Sequence, residues 1–416
     1  MAKIIVIGGG AAGLAAALTA ALTAAQTRTD ASVTILERMD RIGKKILATG
    51  NGRCNLTNED VSPAHYYSRD KALLRKAMYD MPVEQVVDFF RSFGLFCQTE
   101  DEGRVYPYCK QASMVLDVLL PALERAKIDV QCGCAVEEIA RNKGGFRVKT
   151  ADGRAFSADK VILTCGGKAA PKLGSDGSGF RLAQQLGHSC TPLYPALTAM
   201  KCDMNSLGGL KGIRAHGKLS LYANNACLGE NTGEIQFTEY GLSGIPAMQV
   251  SGQLSRLRKG EKCTALVDLF PEWSEEALFQ ELKARQKALP EETLEGFLLG
   301  TIHKRLAFAV LKSSCLQPLS RKVETLTGKE LHTLTNTLKN WRFTVTGTQG
   351  WDAAQVTGGG IPLQELDMET MQSLKVPGLY FAGEILDVVG DCGGFNLHWA
   401  WCSGMRAGRA AAGEQR

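Results

Sequence analysis

The chain has 416 residues, of which 44% are hydrophobic and 22% charged, a composition that excludes a disordered or fibrous protein. Its length exceeds what one hydrophobic core usually supports, so two or three structural units are expected. The 48 basic and 43 acidic side chains leave a formal charge of +5, spread along the chain without a basic run, which argues against nucleic acid as a partner.

Thirteen cysteines, an odd number in a long chain without a Cys-x-x-Cys spacing, read as reduced thiols of a cytoplasmic protein, not as a disulfide framework or a metal site. The segment from Ile4 to Ala25 is apolar enough to imitate a signal peptide, but a glycine cluster interrupts it. A buried strand, turn and helix accounts for it better, and no other stretch approaches the length of a membrane span.

Lys3 to Ile7 reads as that strand, and it runs into Gly8-Gly9-Gly10-Ala11-Ala12-Gly13 and an alanine-rich helix over Leu14 to Ala25. In this Gly-x-Gly-x-x-Gly pattern Gly8 permits the tight turn, Gly10 lets a pyrophosphate approach the backbone, and Gly13 lets helix and strand pack closely. The helix N-terminus offers unpaired N–H groups to the anion. A second strand, Ser32 to Leu36, ends in Glu37, close to where the acid that hydrogen-bonds a ribose hydroxyl is expected. Together these predict a dinucleotide site and leave FAD and NAD equally open.

Arg38 to Asn58 (RMDRIGKKILATGNGRCNLTN) is rich in glycine, asparagine and basic residues. It resembles the loop by which flavoproteins of the fumarate reductase and glutathione reductase superfamily follow the ribitol toward the flavin ring. That likeness implies cofactor contacts at Arg38, Lys45, Gly50, Asn51, Cys54 and Asn55. Val161 to Pro171 (VILTCGGKAAP) is similar to the superfamily's internal strand and glycine pair, implying Cys165, Gly166 and Gly167, and Leu173 to Gly187 resembles the turn and helix that follow, implying Gly177. Val376 to Glu384 (VPGLYFAGE) resembles the C-terminal strand whose final acid binds the ribityl chain, implying Gly383 and Glu384.

Asp387 and GDCGGFNLHWAWCSG (Gly390 to Gly404), with Gly393, Gly394, Phe395 and Asn396, make the chain similar to one bacterial family in particular, the aminoacetone oxidase-family or BaiN-type FAD-binding flavoproteins. Ala12 and Val136 complete the contacts that this resemblance implies. It covers nearly the whole chain, including Gly103 to Leu116 and Trp351 to Ile361.

Gly393 and Gly394 precede an expected helix from about Asn396 to Ala412, whose free N–H groups and positive dipole end face whatever lies before it. Set against flavin N1 and O2, such a terminus favours the anionic reduced ring by roughly 0.3 to 2 kcal/mol. On this helix Ala400, Gly404 and Gly408 recur every four residues, predicting close packing against the first helix at Ala15, Ala16 and Ala20.

The expected fold is α/β: a discontinuous Rossmann-type FAD-binding domain over residues 1–190 and 342–416, with an inserted domain over 191–341. Short alternating strands such as Lys218 to Tyr222 and Glu234 to Thr238, with turns at Gly208-Gly209, Asn224-Asn225 and Asn231-Thr232-Gly233, predict a small barrel or antiparallel sheet over about 191–272. Helices are expected over about 273–341, at Ser274 to Leu289 with Ser274 as N-cap, at Phe297 to Lys312 and at Gly328 to Trp341.

Candidate catalytic residues are Cys54, Arg104, Tyr106 and His398. Cys54 lies in a glycine-rich basic loop that favours thiolate, against a simple packing role. Arg104 and Tyr106 suit an anionic or carbonyl substrate, against a solvated loop. His398 offers an acid or base, against a hydrogen-bonding role, and the family more often has Gln there. The other histidines show no ligand spacing, so no metal is expected.

The implied function is an FAD-dependent oxidoreductase working by hydride transfer at flavin N5 on a small molecule. Because no second Gly-x-Gly-x-x-Gly opens a helix, NAD(P)H would act as a transient donor docking over the ring. Oxidation of an amine or amino-ketone, flavin-dependent tRNA modification and a non-catalytic flavin protein are the alternatives.

Overall fold

Five short strands, of which the first, second and fourth are rich in β-branched residues, pair with one another in parallel: β1 (Ala2–Ile7), β2 (Ala31–Leu36), β3 (Asp129–Gln131), β4 (Lys160–Leu163) and β5 (Leu379–Phe381). Their order across the sheet is β5-β4-β1-β2-β3, so the strand that feeds the glycine motif is central and both faces need covering. The computed structural model describes residues 1–203, 208–258 and 260–413. It divides into two compact units, Met1–Pro195 with Gln355–Arg416, and Ala196–Ala354.

The first unit is built around two helices, α1 (Ala11–Gln26) and α2 (Phe395–Ala411). Leu14, Ala15, Ala16, Ala17, Leu18 and Ala20 on α1 are fully buried, as are Trp401, Cys402 and Ala407 on α2. A Cβ on Gly404 would overlap the carbonyl oxygen of Ala12, and one on Gly408 that of Ala16. Backbone therefore touches backbone along a full turn. The small-residue stripe meets α1 as expected, but at Ala12 and Ala16; Ala400 instead approaches Gly383.

The second unit contains a closed six-stranded barrel ordered Met200–Cys202, Gly241–Gly244, Ala226–Phe237, Arg214–Ala223, Cys263–Asp268 and Trp341–Thr348, the last pairing back to the first. Closure leaves no free strand edge. Asn224 and Asn225 both take positive φ, 47° and 64°, and join two barrel strands as a tight hairpin. Asn231-Thr232-Gly233 is not a turn: it lies inside Ala226–Phe237, with Gly233 paired to Gly217.

Besides the short helix Ile245–Ser251, this unit carries helices Glu275–Ala288, Leu294–Phe297, Lys304–Ser313 and Gly328–Lys339. Ser274 caps Glu275–Ala288, its hydroxyl oxygen accepting from the Ala277 N–H at 3.1 Å. The single helix expected over 297–312 is broken, because Gly300 takes φ +81° between the two shorter helices. Trp341 opens a strand instead of ending a helix, so the unit runs on to Ala354.

In an ordinary helix Gly→Ala gains about 1 kcal/mol. Gly408→Ala is expected to do the opposite here, lowering stability by about 1 to 3 kcal/mol through overpacking. A denaturant midpoint that rises in this variant would mean the helix contact is looser than described.

Candidate cofactor and active site

The turn from β1 into α1 is fixed by Gly8, whose φ of +107° excludes side chains and whose position against the Thr164 carbonyl leaves no room for a Cβ. Thr164 donates its hydroxyl to the carbonyls of Ile7 and Gly8, at 3.0 and 2.9 Å, tying the ends of β1 and β4 together. Gly10 caps α1 with no side-chain hydrogen bond, and a Cβ on it would meet nothing within 4 Å. The first-turn N–H groups of α1 therefore open onto space that suits an anion. Glu37, at the end of β2, is buried and accepts from the N–H groups of Gly9 at 2.7 Å and Met39 at 2.8 Å. Each carboxylate oxygen keeps a further lone pair for a hydroxyl.

The N-terminus of α2 lies farther along the same direction. Gly404 sits against Ala12 and Gly408 against Ala16, so the two helices run parallel and position 402 is level with Gly10. Gly394, the N-cap of α2, comes eight residues earlier, roughly 12 Å along the axis at 1.5 Å per residue. Two helix N-termini thus point the same way, offset by about the reach of a ribityl phosphate chain.

Polar groups line the interval between them. Lys45 Nζ donates to Glu384 Oε2 at 2.7 Å and to the Ala169 carbonyl at 3.3 Å. Glu384 Oε1 accepts from the Thr357 N–H at 2.9 Å, and the Thr357 hydroxyl accepts from the N–H groups of Lys168 and Ala169. Gly167 abuts Thr357 and Glu384, with no space for a side chain. Gly166 lies against Ser175, Gly177 donates its N–H to the Gly167 carbonyl at 3.0 Å, and Arg38 pairs with Asp176. Gly383 takes φ +80° and donates its N–H to Ser403.

At the far end Gly393 and Gly394 enter α2 with φ of +130° and +100°. Asn58 Nδ2 donates to the Gly393 carbonyl, and the Asn396 side chain holds both the N–H and the carbonyl of Gly390, each at 2.8 Å. Asn55 Oδ1 lies beside Gly394, buried and without a hydrogen-bond partner. A buried carbonyl oxygen without a donor is costly, and the imide N–H of an isoalloxazine ring is a donor of the required kind. These residues fit FAD: α1 and Glu37 toward the nucleotide, Lys45 and Glu384 along the middle, Asn55 and the start of α2 toward the ring.

The remaining expected site residues have the following surroundings in the protein. Cys54 is fully buried, and burial pushes its thiol up to about 12. Its loop is basic by sequence, but burial outweighs the Thr49 hydrogen bond that acts the other way, which disfavours a thiolate there. Cys165 is pushed to about 12 for the same reason. His398 is completely buried between the Thr57 hydroxyl, 2.8 Å from Nδ1, and the Met81 carbonyl, 3.0 Å from Nε2. A carbonyl only accepts, so Nε2 carries the hydrogen and Nδ1 accepts from Thr57. Burial lowers its pKa to about 4. His398 is a neutral spacer, not an acid or base.

Asp387 is buried in a cavity of about 390 Å³ lined also by Arg69, Thr191 and Pro362, apart from Lys45 and Glu384. Val136 opens an antiparallel strand, paired to Thr150. Arg104 pairs with Glu102. Tyr106 is buried under Arg53, whose guanidinium carbon lies 4.4 Å from the ring centroid. Gly50 and Asn51, both with positive φ, form the adjoining turn, and Phe395 stacks on His65. Sequence reasoning missed Asn58, Thr164, Thr357 and His65, isolated polar residues without a recognisable spacing. Among the described residues no three His, Cys, Asp or Glu side chains are placed to hold a metal, and no helix is long and apolar enough to cross a membrane.

Ser373, His188 and Glu365 form a second polar row: His188 Nε2 lies 2.8 Å from the serine hydroxyl and Nδ1 2.7 Å from the carboxylate. All three are buried, and Ser373 Oγ accepts the N–H groups of Lys375 and Val376. The row fastens loops and presents no nucleophile.

The depressed pKa of His398 has a consequence for acid stability. The unfolded ring titrates near 6.5 and the folded one at about 4, so the fold favours the neutral ring. Its contribution is complete above pH 6.5 and is lost as pH falls toward 4. His398→Gln keeps a donor and an acceptor without the titration, and is expected to shift the acid-unfolding midpoint downward by several tenths of a pH unit or more. Circular dichroism against pH checks this, and coincident curves for the two proteins would contradict it.

The HI0933-like protein Rossmann domain matches residues 2–410 of the chain. A 3-dehydro-bile acid delta(4,6)-reductase of Clostridium scindens is 40% identical over 99% of both chains. A ribosomal RNA dihydrouridine synthase of Escherichia coli is 30% identical over 96% of this chain and 95% of its own. A 3-ketosteroid delta1-dehydrogenase of Sterolibacterium denitrificans superposes over 99% of this chain and 100% of its own, with TM-score 0.52 and 14% identity, and so shares the fold. The chain belongs to the HI0933-like FAD-binding Rossmann family and is an FAD-dependent oxidoreductase.

Proposed function

We propose that the protein saturates a carbon–carbon double bond conjugated to a carbonyl group in a small molecule, in the cytoplasm, with NADPH or NADH as electron donor. The observation that carries this reading is the kind of bond shared by two full-length relatives. The bile acid enzyme is named for double bonds conjugated to a 3-oxo group. The other relative makes dihydrouridine, and uridine's C5=C6 bond is conjugated to a ring carbonyl. The substrates differ in size and class; the electron demand at the reacting carbons is the same.

Bound FAD supplies the hydride chemistry. The protein's share is orientation and electrostatics. The start of α2, with no side-chain cap at Gly394, favours negative charge at the ring by roughly 0.3 to 2 kcal/mol. The Asn396 side chain and Asn58 keep that loop in place before any ligand arrives. The described residues contain one parallel sheet with one glycine-motif helix, which supports a nicotinamide donor that docks and leaves.

A second reading is a uridine in RNA as acceptor, favoured by the dihydrouridine synthases of Escherichia coli and Haemophilus influenzae, at 30% and 27% identity. The small-molecule reading is preferred because the bile acid reductase is the more similar, at 40% over 99% of the chain, and because the excess charge of +5 is spread along the sequence.

Anaerobic mixing of the FAD-loaded protein with NADPH and then NADH tests the donor. Loss of the visible flavin absorbance is expected with one of them, followed by recovery of the colour on adding a 3-oxo bile acid with double bonds at positions 4 and 6. A flavin that neither nucleotide bleaches would point to an oxidase or a non-catalytic flavin. Recovery with ribosomal RNA but not with the bile acid would establish the second reading.

A further inference from the structure

Asp60, His65 and Asp391 lie in a row beside the start of α2. His65 Nδ1 is 2.9 Å from Asp391 Oδ2, and Nε2 is 3.1 Å from Asp60 Oδ2. Side-chain exposure rises outward along the row, 14% for Asp391, 32% for His65 and 68% for Asp60. The inner end is one residue from Cys392 and two from Gly393, in the loop that opens α2.

Three constraints hold the imidazole in line. Tyr66–Tyr67 pairs antiparallel with Val389–Gly390, and the Asp391 N–H donates to the His65 carbonyl at 2.9 Å. The His65 ring stacks on Phe395, the first residue of α2, with centroids 4.5 Å apart and planes 20° from parallel. Asn396 then clamps Gly390 from within the helix. Partial burial opposes charge on the ring, but the carboxylates of Asp391 and Asp60 outweigh it and hold its pKa above the ordinary histidine value. These two are the charged groups acting on it, and Phe395 adds an apolar face.

A purely structural role explains this poorly. The outer pair is exposed, and exposed ion pairs contribute about 0 to 1 kcal/mol; the backbone pairing already joins the two segments. What the arrangement adds is a ring with a carboxylate at each nitrogen, aligned between one carboxylate in water and one at the cofactor loop, which favours its doubly protonated form.

We propose that Asp60, His65 and Asp391 form a proton-delivering row at the flavin end of the site, with Asp60 supporting the charge on the ring and His65 giving its Nδ1 proton through Asp391, and that it supplies the proton that accompanies hydride transfer. This rests on the reaction proposed above. Saturating a conjugated double bond consumes one hydride, given by the reduced FAD, which forms a C–H bond at the carbon remote from the carbonyl. The π pair shifts onto the adjacent carbon and the carbonyl oxygen, and a proton forms the second C–H bond there. That proton passes from His65 Nδ1 to Asp391 and on to the substrate. The ring is left neutral with its hydrogen on Nε2, held by Asp60, and regains the Nδ1 hydrogen from water, so both carboxylates end as they began. His65 is thereby a positioning and relay residue, one step removed from the substrate.

The test compares two oxidants of the dithionite-reduced, FAD-loaded protein in anaerobic stopped flow: the 3-oxo bile acid with double bonds at 4 and 6, which needs a proton at carbon, and ferricyanide, which needs none. His65→Asn is expected to slow reoxidation by the bile acid about 100-fold, the scale of a lost general acid, while ferricyanide reoxidation and FAD content stay at wild-type values. Asp60→Asn slows it by a smaller factor. The wild-type rate falls as pH rises through the His65 pKa, located separately by NMR titration of the imidazole, whereas the His65→Asn rate stays flat and is partly restored by added imidazole at low pH. Equal rates in wild type and His65→Asn, or equal losses with both oxidants, would overturn the relay and leave the reaction standing. A wild-type protein that the bile acid does not reoxidise would overturn the reaction, and the relay with it.

Discussion

The close approach of α1 and α2 is the contact on which the cofactor site depends. Where Gly404 and Gly408 lie against the carbonyls of Ala12 and Ala16, even a methyl group forces the helices apart, and an interior packed to near crystal density has little slack to absorb that. The contact fixes two things together. It sets the helices parallel, so both N-termini face the same way, and it sets their stagger, so the two termini lie at different depths. A one-turn slip would shift the stagger by about 5.4 Å and leave one end of the cofactor without its donors.

The loops around the helix starts are then held by polar contacts that do not need the cofactor. Thr164 fastens the first turn, Lys45 and Glu384 brace the middle, and Asn58, Asn396 and His65 fasten the start of α2. Such preorganisation matters because polar groups fixed in advance stabilise developing charge without reorganising. Asn55 Oδ1 is buried without a hydrogen-bond partner, which suits the imide N–H of a flavin ring.

Much of this was legible in the residues. The glycine motif in its strand and helix context, the stripe at Ala400, Gly404 and Gly408, and the turn at Asn224-Asn225 each reflect a local backbone requirement that few residues meet. Ionisation was not legible. Cys54 sits in a basic loop by sequence, yet its burial is what governs the thiol, and His398 looks like an acid or base until its two buried partners are seen. His65 is the converse: Asp391 is 326 positions away in the chain, and only the pairing of Tyr66–Tyr67 with Val389–Gly390 brings them together. The small helix break at Gly300 was missed because an isolated glycine in an apolar pattern reads as tolerated.

A crystal structure of the FAD-loaded protein tests the central claim most directly. The diphosphate is expected against the first-turn N–H groups of α1 beside Gly10, with the ring's pyrimidine edge at Gly393, Gly394 and Asn55. A cofactor whose ring lies away from the start of α2, or whose diphosphate bypasses α1, would contradict the account of two staggered helix termini holding one flavin.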